Sequence, residues 1–299
     1  MKIYINRAIH QGAWGGGNLW VKAAYEVSEK LGHQAFDPDD FQARPDIIFL
    51  AGMESDGSGI SAEQAIAYKM YIGNVKIILR VNENDARKGT SGVDDNLISL
   101  SEYVDGTVFV SKWLMNYFLD KGWKCNNNTF IHNGVDREIF KPYPKLNNGK
   151  INLVTHHWSD NEMKGFDVYE QIDKYVKDSD RFTFTYIGRH RNTFKNTNIV
   201  APLYGEKLGA ELGKYDVYVS ASRFDPGPNH CLEALACGLP TYVHEDGGGG
   251  VEFAGESHSF HDWNELKSLL EANETQPNVV SLIDWETSIA QYLKFAEET

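Results

Sequence analysis

Short apolar runs alternate with stretches of helical periodicity along almost the whole chain. The runs at 46–51 and 75–81 are continuously apolar, as is typical of parallel strands that are buried on both faces. Other strand-like runs share a β-favouring composition and end in polar or glycine-rich turns, at 2–6, 105–110, 151–155, 182–187, 217–219 and 241–244. Apolar residues spaced at i, i+3 and i+4 predict helices between them, at 19–31, 62–71, 112–118, 263–270 and 285–295. This alternation predicts an α/β protein with parallel sheets.

The length of the chain predicts more than one domain. With 299 residues, two domains of ordinary size can each bury a core of their own. Residues 143–150 include a proline, paired asparagines and a glycine, which is a linker-like composition. We therefore expect one domain over 1–148 and a second over 149–299.

The stretch 217–256 predicts a strand, a loop, a helix, a second strand and a glycine loop in direct succession. Pro226, Gly227 and Pro228 interrupt regular structure after the first strand. Asn229 is a good N-cap for the following helix, which Gly238 ends. The four glycines at 247–250 close the unit as a loop.

This stretch also carries candidate chemistry. A loop that leads into a helix N-terminus at the carboxyl edge of a parallel sheet is suited to bind an anion. Two carboxylates, Asp225 and Glu233, lie in the same unit, and their natural partners are hydroxyl groups. A ligand with both phosphates and hydroxyls is a nucleotide sugar. In the alternative interpretation, Glu233 is a solvated helix residue and the glycines only form turns. That interpretation does not account for the order of all these residues along the stretch.

The order Asp225-x7-Glu233, followed by Ala-Leu-Ala-Cys-Gly-Leu-Pro, resembles the signature of retaining glycosyltransferase family 4. The resemblance implies the GT-B fold, in which two facing doubly wound, Rossmann-like domains enclose a cleft. It also implies that the last helix, about 285–299, packs back on the N-terminal domain. In that family Glu233 would bind the ribose hydroxyls, Asp225 would bind the donor sugar, and neither a metal nor another cofactor would be needed.

The resemblance extends to the phosphate-binding residues, with one gap. Lys164-Gly165 matches the second half of a motif whose arginine and lysine hold the donor diphosphate, but the arginine is missing. His156 and His157 occupy its approximate place, and Arg189 is a further candidate. The backbone at Gly227, Pro228 and Asn229 would add contacts, although Pro228 has no N–H. A zinc site at the two histidines is rejected, because no further ligands have suitable spacing.

In the first half, the candidate residues follow two predicted strands. Gly16 and Gly17 lie in a glycine loop that, in the resembled family, faces the donor phosphate or the acceptor. Asn82, Glu83 and Asp85 follow the run 75–81 and are expected on the acceptor or sugar side, with a solvated loop as an equal alternative. The histidine that family members often carry near this strand end is missing.

Composition and charge limit the classes of molecule that the protein is expected to bind. The formal charge of −13 divides into −2 for residues 1–148 (16 basic, 18 acidic) and −11 for residues 149–299 (13 basic, 24 acidic). This balance argues against strong non-specific nucleic-acid binding. No apolar run is long enough to span a membrane, although peripheral membrane contact stays open through the aromatic 112–118 helix. Three cysteines and a start unlike a signal peptide favour a cytoplasmic protein.

The sequence thus predicts a retaining, metal-independent glycosyltransferase with a nucleotide-sugar donor. Its acceptor is open among a glycan, a lipid-linked sugar, a protein and a modified nucleic acid. Two alternatives on the same fold remain. One is a non-catalytic nucleotide-sugar-binding partner or sensor, which the missing arginine and histidine favour. The other is a nucleotide-sugar epimerase or phosphorylase.

Overall fold

The computed structural model describes the whole chain except residues 11, 13–14, 37, 42–43, 55–58 and 274–276. The chain divides into two compact units. Unit 1 contains residues 1–85, 90–134 and 283–299, and unit 2 contains residues 86–89 and 135–282. The predicted boundary at 148/149 lies inside unit 2.

Unit 1 is built on a six-stranded, fully parallel sheet. Its strands are β1 (Lys2–Ile5), β2 (Gln34–Phe36), β3 (Ile47–Leu50), β4 (Lys76–Val81), β5 (Gly106–Phe109) and β6 (Asn128–Phe130). Their spatial order is β2-β1-β3-β4-β5-β6. The order reverses direction between β1 and β3, where doubly wound folds bind ligands at the carboxyl ends of the strands.

Helices cover both faces of this sheet. They are α1 (Gly16–Lys30), α2 (Ala62–Ile72), α4 (Val93–Leu100), α5 (Lys112–Asp120) and α11 (Trp285–Glu298), while the short α3 (Asp85–Lys88) leads into the segment 86–89 of unit 2. Because strand side chains alternate, Ile77 and Leu79 face the core under α2 and α5, whereas Ile78 faces α1 and α11. The terminal helix therefore completes the core of unit 1, with Tyr292 packed against Trp20.

Unit 2 has the same architecture. Its strands are β7 (Ile151–His157), β8 (Phe182–Gly188), β9 (Asn198–Val200), β10 (Val217–Ser220), β11 (Thr241–His244) and β12 (Ser259–Phe260), and its longer helices are α6 (Phe166–Val176), α7 (Gly205–Leu212), α8 (Asn229–Ala236), α9 (Gly249–Ala254) and α10 (Trp263–Asn273). The parallel order β12-β11-β10-β7-β8-β9 reverses between β7 and β10. The loops that follow these two strands are therefore the expected ligand site of unit 2.

Three local predictions need correction. Asn229 is the first residue of α8 and not its N-cap; Pro228 holds the cap position with an extended backbone. Gly249 and Gly250 begin α9, so the four glycines are not all loop. Gly16 and Gly17 likewise form the first turn of α1, which starts three residues earlier than its apolar spacing indicates.

A tight turn places Lys164 against the end of β10. Residues Glu162–Lys164 form a 3-10 turn that Gly165 ends with a φ of 79°. A Cβ atom at Gly165 would lie 2.1 Å from the carbonyl oxygen of Ala221. Only glycine allows this approach, because it has no Cβ and tolerates a positive φ.

We expect Gly165→Ala to reduce the free energy of unfolding by about 3 kcal/mol, since strain and overlap with Ala221 act together. Gly149→Ala is the matched control. Gly149 has a φ of 73°, and a Cβ there would meet no atom within 4 Å. Strain alone should cost about 1 kcal/mol at this position. Equal losses in a denaturant titration would show that the approach to Ala221 does not constrain the turn.

Candidate functional site

Asp225 lies at the centre of a buried ionic cluster in unit 2. Its Oδ2 atom is 3.1 Å from Nζ of Lys164 and 3.4 Å from Nε of Arg87. The Nε2 atom of His230 is 3.7 Å from the same oxygen. Lys164 and Asp225 are only 6% and 8% exposed, so water screens their attraction far less than at a surface ion pair.

The backbone around Asp225 is fixed by its neighbours. Phe224 adopts a φ of 53°, which is an unfavourable conformation for an aromatic residue. Its N–H donates to the carbonyl of Asp246 at 2.7 Å, and the carbonyl of Asp225 accepts from the N–H of Gly249 at 2.9 Å. The N–H of Arg223 donates to the carbonyl of Met163, next to Lys164. The strained loop is thus held between the turn that carries Lys164 and the start of α9.

Burial and charge decide the protonation of this cluster. Burial alone would raise the pKa of Asp225, but Lys164, His230 and Arg87 together hold this pKa well below its usual range. Burial also lowers the pKa of Lys164, although the charge of Asp225 opposes that effect. Burial lowers the pKa of His230 to about 3, despite its contact with Asp225. At neutral pH the cluster therefore contains an ionised aspartate and a neutral His230.

Helix α8 presents the second carboxylate on the face that also carries His230. The two residues are spaced i and i+3, so their side chains lie on one side of the helix. Oε2 of Glu233 is 2.7 Å from Nε2 of His156, at the carboxyl end of β7. Because an ionised carboxylate only accepts, His156 donates from Nε2. The hydroxyl oxygen of Tyr218, on β10, is 3.1 Å from Nδ1 of His230.

His157 points to the opposite side of β7 from His156, as the next residue of a strand must. Its Nε2 atom is 2.7 Å from the hydroxyl of Tyr169, which also accepts from the N–H of Ala221 at 2.9 Å. Burial lowers the pKa of His157 well below its ordinary value, with Lys164 and His230 adding to the effect. His157 is therefore neutral. The Tyr169 hydroxyl accepts from both Ala221 and Thr155, so its own proton is donated to Nε2 of His157 and the ring proton is on Nδ1.

Buried polar atoms at the ends of β7 and β10 have no hydrogen-bond partner among the described residues. They are Nδ1 of His156, Nδ1 of His157 and Oγ of Ser222. Buried polar atoms are nearly always satisfied in folded proteins, so each exception needs an explanation. Atoms that contact a bound ligand are one explanation, and here all three lie at the ends of β7 and β10.

The structure brings most of the predicted residues of the second half to this edge of the sheet. Lys164 and Asp225 are in contact, and Gly227 and Pro228 lead from Asp225 to α8, which begins at Asn229. Arg189 lies elsewhere: its guanidinium stacks 3.9 Å above the ring of Trp158 and is exposed. Its N–H donates to the carbonyl of His157, so only its backbone adjoins the cluster.

The predicted residues of the first half belong to unit 1. A Cβ at Gly17 would lie 3.3 Å from Nδ2 of Asn82, so these two residues are neighbours beyond β1 and β4. Glu83 is half-buried at the same edge. Burial alone would raise the pKa of Asp85, but its carboxylate accepts from the first N–H groups of α4 and from the hydroxyl of Thr90, and these bonds lower the pKa. Asp85 therefore stabilises the start of α4.

Sequence reasoning missed two residues of the cluster. His230 had a usable signal, because it lies three residues before Glu233 on the same helix face. Arg87 had none beyond its place in a polar run, since only the tertiary fold brings the segment 86–89 to Asp225. Within the described residues, no three His, Cys, Asp or Glu side chains form a metal-binding group.

No protein-family model and no curated protein sequence matches this chain. Solved structures match it over almost its full length at low sequence identity. HepE from Anabaena, solved in complex with UDP and glucose, gives a TM-score of 0.71 at 12% identity and covers 99% of both chains. Sucrose-phosphate synthase from Thermosynechococcus elongatus gives 0.70 at 13% identity, over 99% of this chain and 98% of the other. The fold is GT-B.

A third match is the lipopolysaccharide outer core galactosyltransferase WaaB, with a TM-score of 0.61 at 11% identity over 99% of this chain and 95% of the other. These likenesses confirm the predicted fold class, and they agree with the resemblance seen at residues 225–240. None of the helices in the part of the chain that the structure describes is long and apolar enough to cross a bilayer.

The neutral state of His230 predicts a specific pH dependence of stability. The unfolded chain takes up a proton below about pH 6.5, whereas folded His230 does so only near pH 3. The part of the unfolding free energy that depends on neutral His230 is therefore fully present above pH 6.5. It decreases by about 1.4 kcal/mol per pH unit as the pH falls towards 3. His230→Gln should make the fall in unfolding free energy between pH 6.5 and 4 shallower by that slope.

His261→Gln is the control for this measurement. His261 is exposed, and its hydrogen bond to Glu245 raises its pKa, so its contribution to stability has the opposite pH dependence. This control should not make the acid slope shallower. If His230→Gln retains the wild-type slope, His230 is not held neutral in the folded protein.

Proposed function

We propose that the protein is a retaining glycosyltransferase that moves a sugar from a nucleotide-sugar donor to an acceptor hydroxyl. The observation that carries this proposal is the pair of buried carboxylates around the start of α8, each in contact with a basic side chain. The GT-B fold of the matched glycosyltransferases supports it. HepE holds UDP and glucose in one structure and UDP-glucose in another, so UDP-glucose is the first donor to test.

Glu233 is the proposed ligand of the donor ribose. Its Oε2 atom accepts a hydrogen bond from His156 at the end of β7, and this bond orients the carboxylate. The Nδ1 atom of His156 is buried and no described residue bonds to it, so it is available to a ligand hydroxyl. A ribose contains vicinal hydroxyls that donate to acceptors, so Glu233 and His156 together suit this part of the donor.

Asp225 is the proposed ligand of the donor sugar. It is ionised and buried, and it precedes α8 by four residues. An aspartate is one methylene shorter than the glutamate usual at this position of the resembled family. Asp225 therefore reaches less far into the site, and we expect donor preference to depend on this residue.

The diphosphate would lie between Lys164 and the start of α8. The Lys164 ammonium supplies positive charge, and the positive end of the α8 dipole lies at Gly227, Pro228 and Asn229. His157, with a proton on Nδ1, adds a neutral donor. We place Arg189 at the periphery of this subsite, since its side chain stacks on Trp158.

The transfer breaks the bond between the anomeric carbon and the diphosphate oxygen, which leaves with the electron pair. The acceptor oxygen forms the new bond on the same face of the sugar, and its proton passes to a phosphate oxygen of the leaving group. Lys164 stabilises the charge that develops on the diphosphate, which is the task of a divalent cation in metal-dependent transferases. We therefore propose a reaction that needs neither a metal nor another cofactor.

Unit 1 is the proposed acceptor side, through Gly16, Gly17, Asn82 and Glu83. The acceptor belongs to the broad class of hydroxyl-bearing molecules, namely glycans, lipid-linked sugars, proteins or modified nucleic acids. All three cysteines are free and buried, which is compatible with the cytoplasmic location that we propose.

The proposal is tested by NMR product analysis after a thermal-shift screen of nucleotide sugars. The donor that stabilises the protein should be hydrolysed slowly in the absence of acceptor, and the released sugar should first appear with the anomeric configuration of the donor. An inverted sugar, an epimerised nucleotide sugar or a free sugar phosphate would contradict it. Tight binding without turnover would instead indicate a non-catalytic sensor.

Two substitutions should separate donor binding from chemistry. Lys164→Met should lower kcat about 100-fold or more, because it removes preorganised charge from the leaving group. Glu233→Gln should raise the donor Kd about tenfold or more through the lost charge-assisted hydrogen bonds. Glu271→Gln, at a surface carboxylate of unit 2 that accepts from Tyr175, is the control and should change neither quantity. Wild-type kinetics in both site variants would place the active site elsewhere.

A further inference from the structure

Two cations of unit 2 contact one and the same oxygen atom. Nζ of Lys164 and Nε of Arg87 both approach Oδ2 of Asp225, at 3.1 Å and 3.4 Å. Since both nitrogens touch one oxygen, they lie close to each other in a buried place, where like charges repel strongly. Such a pair is stable only with negative charge between its members.

Arg87 is also attached to the turn that carries Lys164. Its Nη1 atom donates to Oδ1 of Asn161 at 3.2 Å, and the same oxygen accepts from the N–H of Met163 at 2.8 Å. Asn161 is the N-cap of the 162–164 turn. The guanidinium and the ammonium are therefore positioned by one short segment and by one carboxylate.

The charge count of this cluster favours an anionic ligand. Lys164 and Arg87 contribute two positive charges and Asp225 one negative charge, while burial holds His230 and His157 neutral. Buried charges are normally compensated, and here a single carboxylate oxygen faces two cations. A diphosphate carries at least two negative charges and can accept from several donors at once.

We propose that Arg87 is the second diphosphate-binding cation of the site, in the place of the arginine that the segment before Lys164 lacks. This inference rests on the proposed function. Asp225 serves as the internal counter-ion that holds both cations at the diphosphate position. Arginine suits this task because its planar guanidinium binds phosphate oxygens in a bidentate manner, so lysine is only a partial substitute.

The test measures binding of inorganic diphosphate, UDP and uridine to the full-length protein by calorimetry. Arg87→Gln should weaken the binding of inorganic diphosphate and UDP about 10- to 100-fold and make it less dependent on salt. Uridine affinity should not change, and Arg87→Lys should recover part of the loss. Arg181→Gln, at an exposed arginine of unit 2 that stacks on Phe182, is the matched control and should bind all three ligands like the wild type.

The outcomes distinguish this inference from the proposed function. Binding of inorganic diphosphate that depends on Arg87, without any nucleotide binding, would support the anion site and contradict the nucleotide-sugar donor. UDP and uridine binding that does not depend on Arg87 would overturn the inference and leave the proposed function standing. Equal loss of uridine and UDP would show a structural role for Arg87. A wild-type protein that binds neither inorganic diphosphate nor UDP would also overturn the inference.

Discussion

The buried carboxylate of Asp225 is the constraint on which the candidate site depends. An aspartate with so little solvent contact remains ionised because Lys164, His230 and Arg87 face its Oδ2 atom. The fold provides these contacts through local features that would otherwise be unfavourable, among them the positive φ of Phe224 and the close approach of Gly165 to Ala221. Strain of this kind is typical of functional sites, where the surrounding structure enforces it.

Three histidines line the site, and burial keeps two of them, His157 and His230, neutral. His230 contacts Asp225, His156 contacts Glu233, and His157 contacts Tyr169. Since burial keeps His157 and His230 neutral, they can donate or accept hydrogen bonds without repelling Lys164. The positive charge of the site is thereby concentrated at Lys164 and Arg87, where we propose that the diphosphate binds, and the carboxylates remain for hydroxyl groups.

Much of the fold could be predicted from the sequence, because apolar periodicity directly reflects burial on one face of a helix or on both faces of a strand. The two carboxylates could also be selected, since Asp225 and Glu233 lie within one short strand-loop-helix stretch. Contacts between distant segments leave no such local signal. The contact of His156 with Glu233 depends on the strand order of unit 2, and the contact of Arg87 with Asp225 depends on the tertiary placement of the segment 86–89. Periodicity specifies neither of them.

Local differences between the expected and the observed elements have physical reasons as well. Asparagine is a strong N-cap, but the proline before it already has the extended backbone of that position, so Asn229 becomes the first helical residue. Residues 143–150 have a linker-like composition, yet the segment before them packs on unit 2. Phe140 joins its core, and Gly209 in α7 lets the carbonyl of Ile139 approach closely. Turn-forming residues mark where a chain bends and do not show which core it joins.

The central claim is that Asp225, Lys164 and Glu233 form one donor site at the reversal of strand order between β7 and β10. A crystal structure of the protein with UDP bound tests it most directly. The account predicts phosphate oxygens within hydrogen-bonding distance of Lys164 and the first turn of α8, and ribose hydroxyls on Glu233. A nucleotide bound away from these residues, with the contacts between Asp225 and Lys164 and between His156 and Glu233 unchanged, would contradict it.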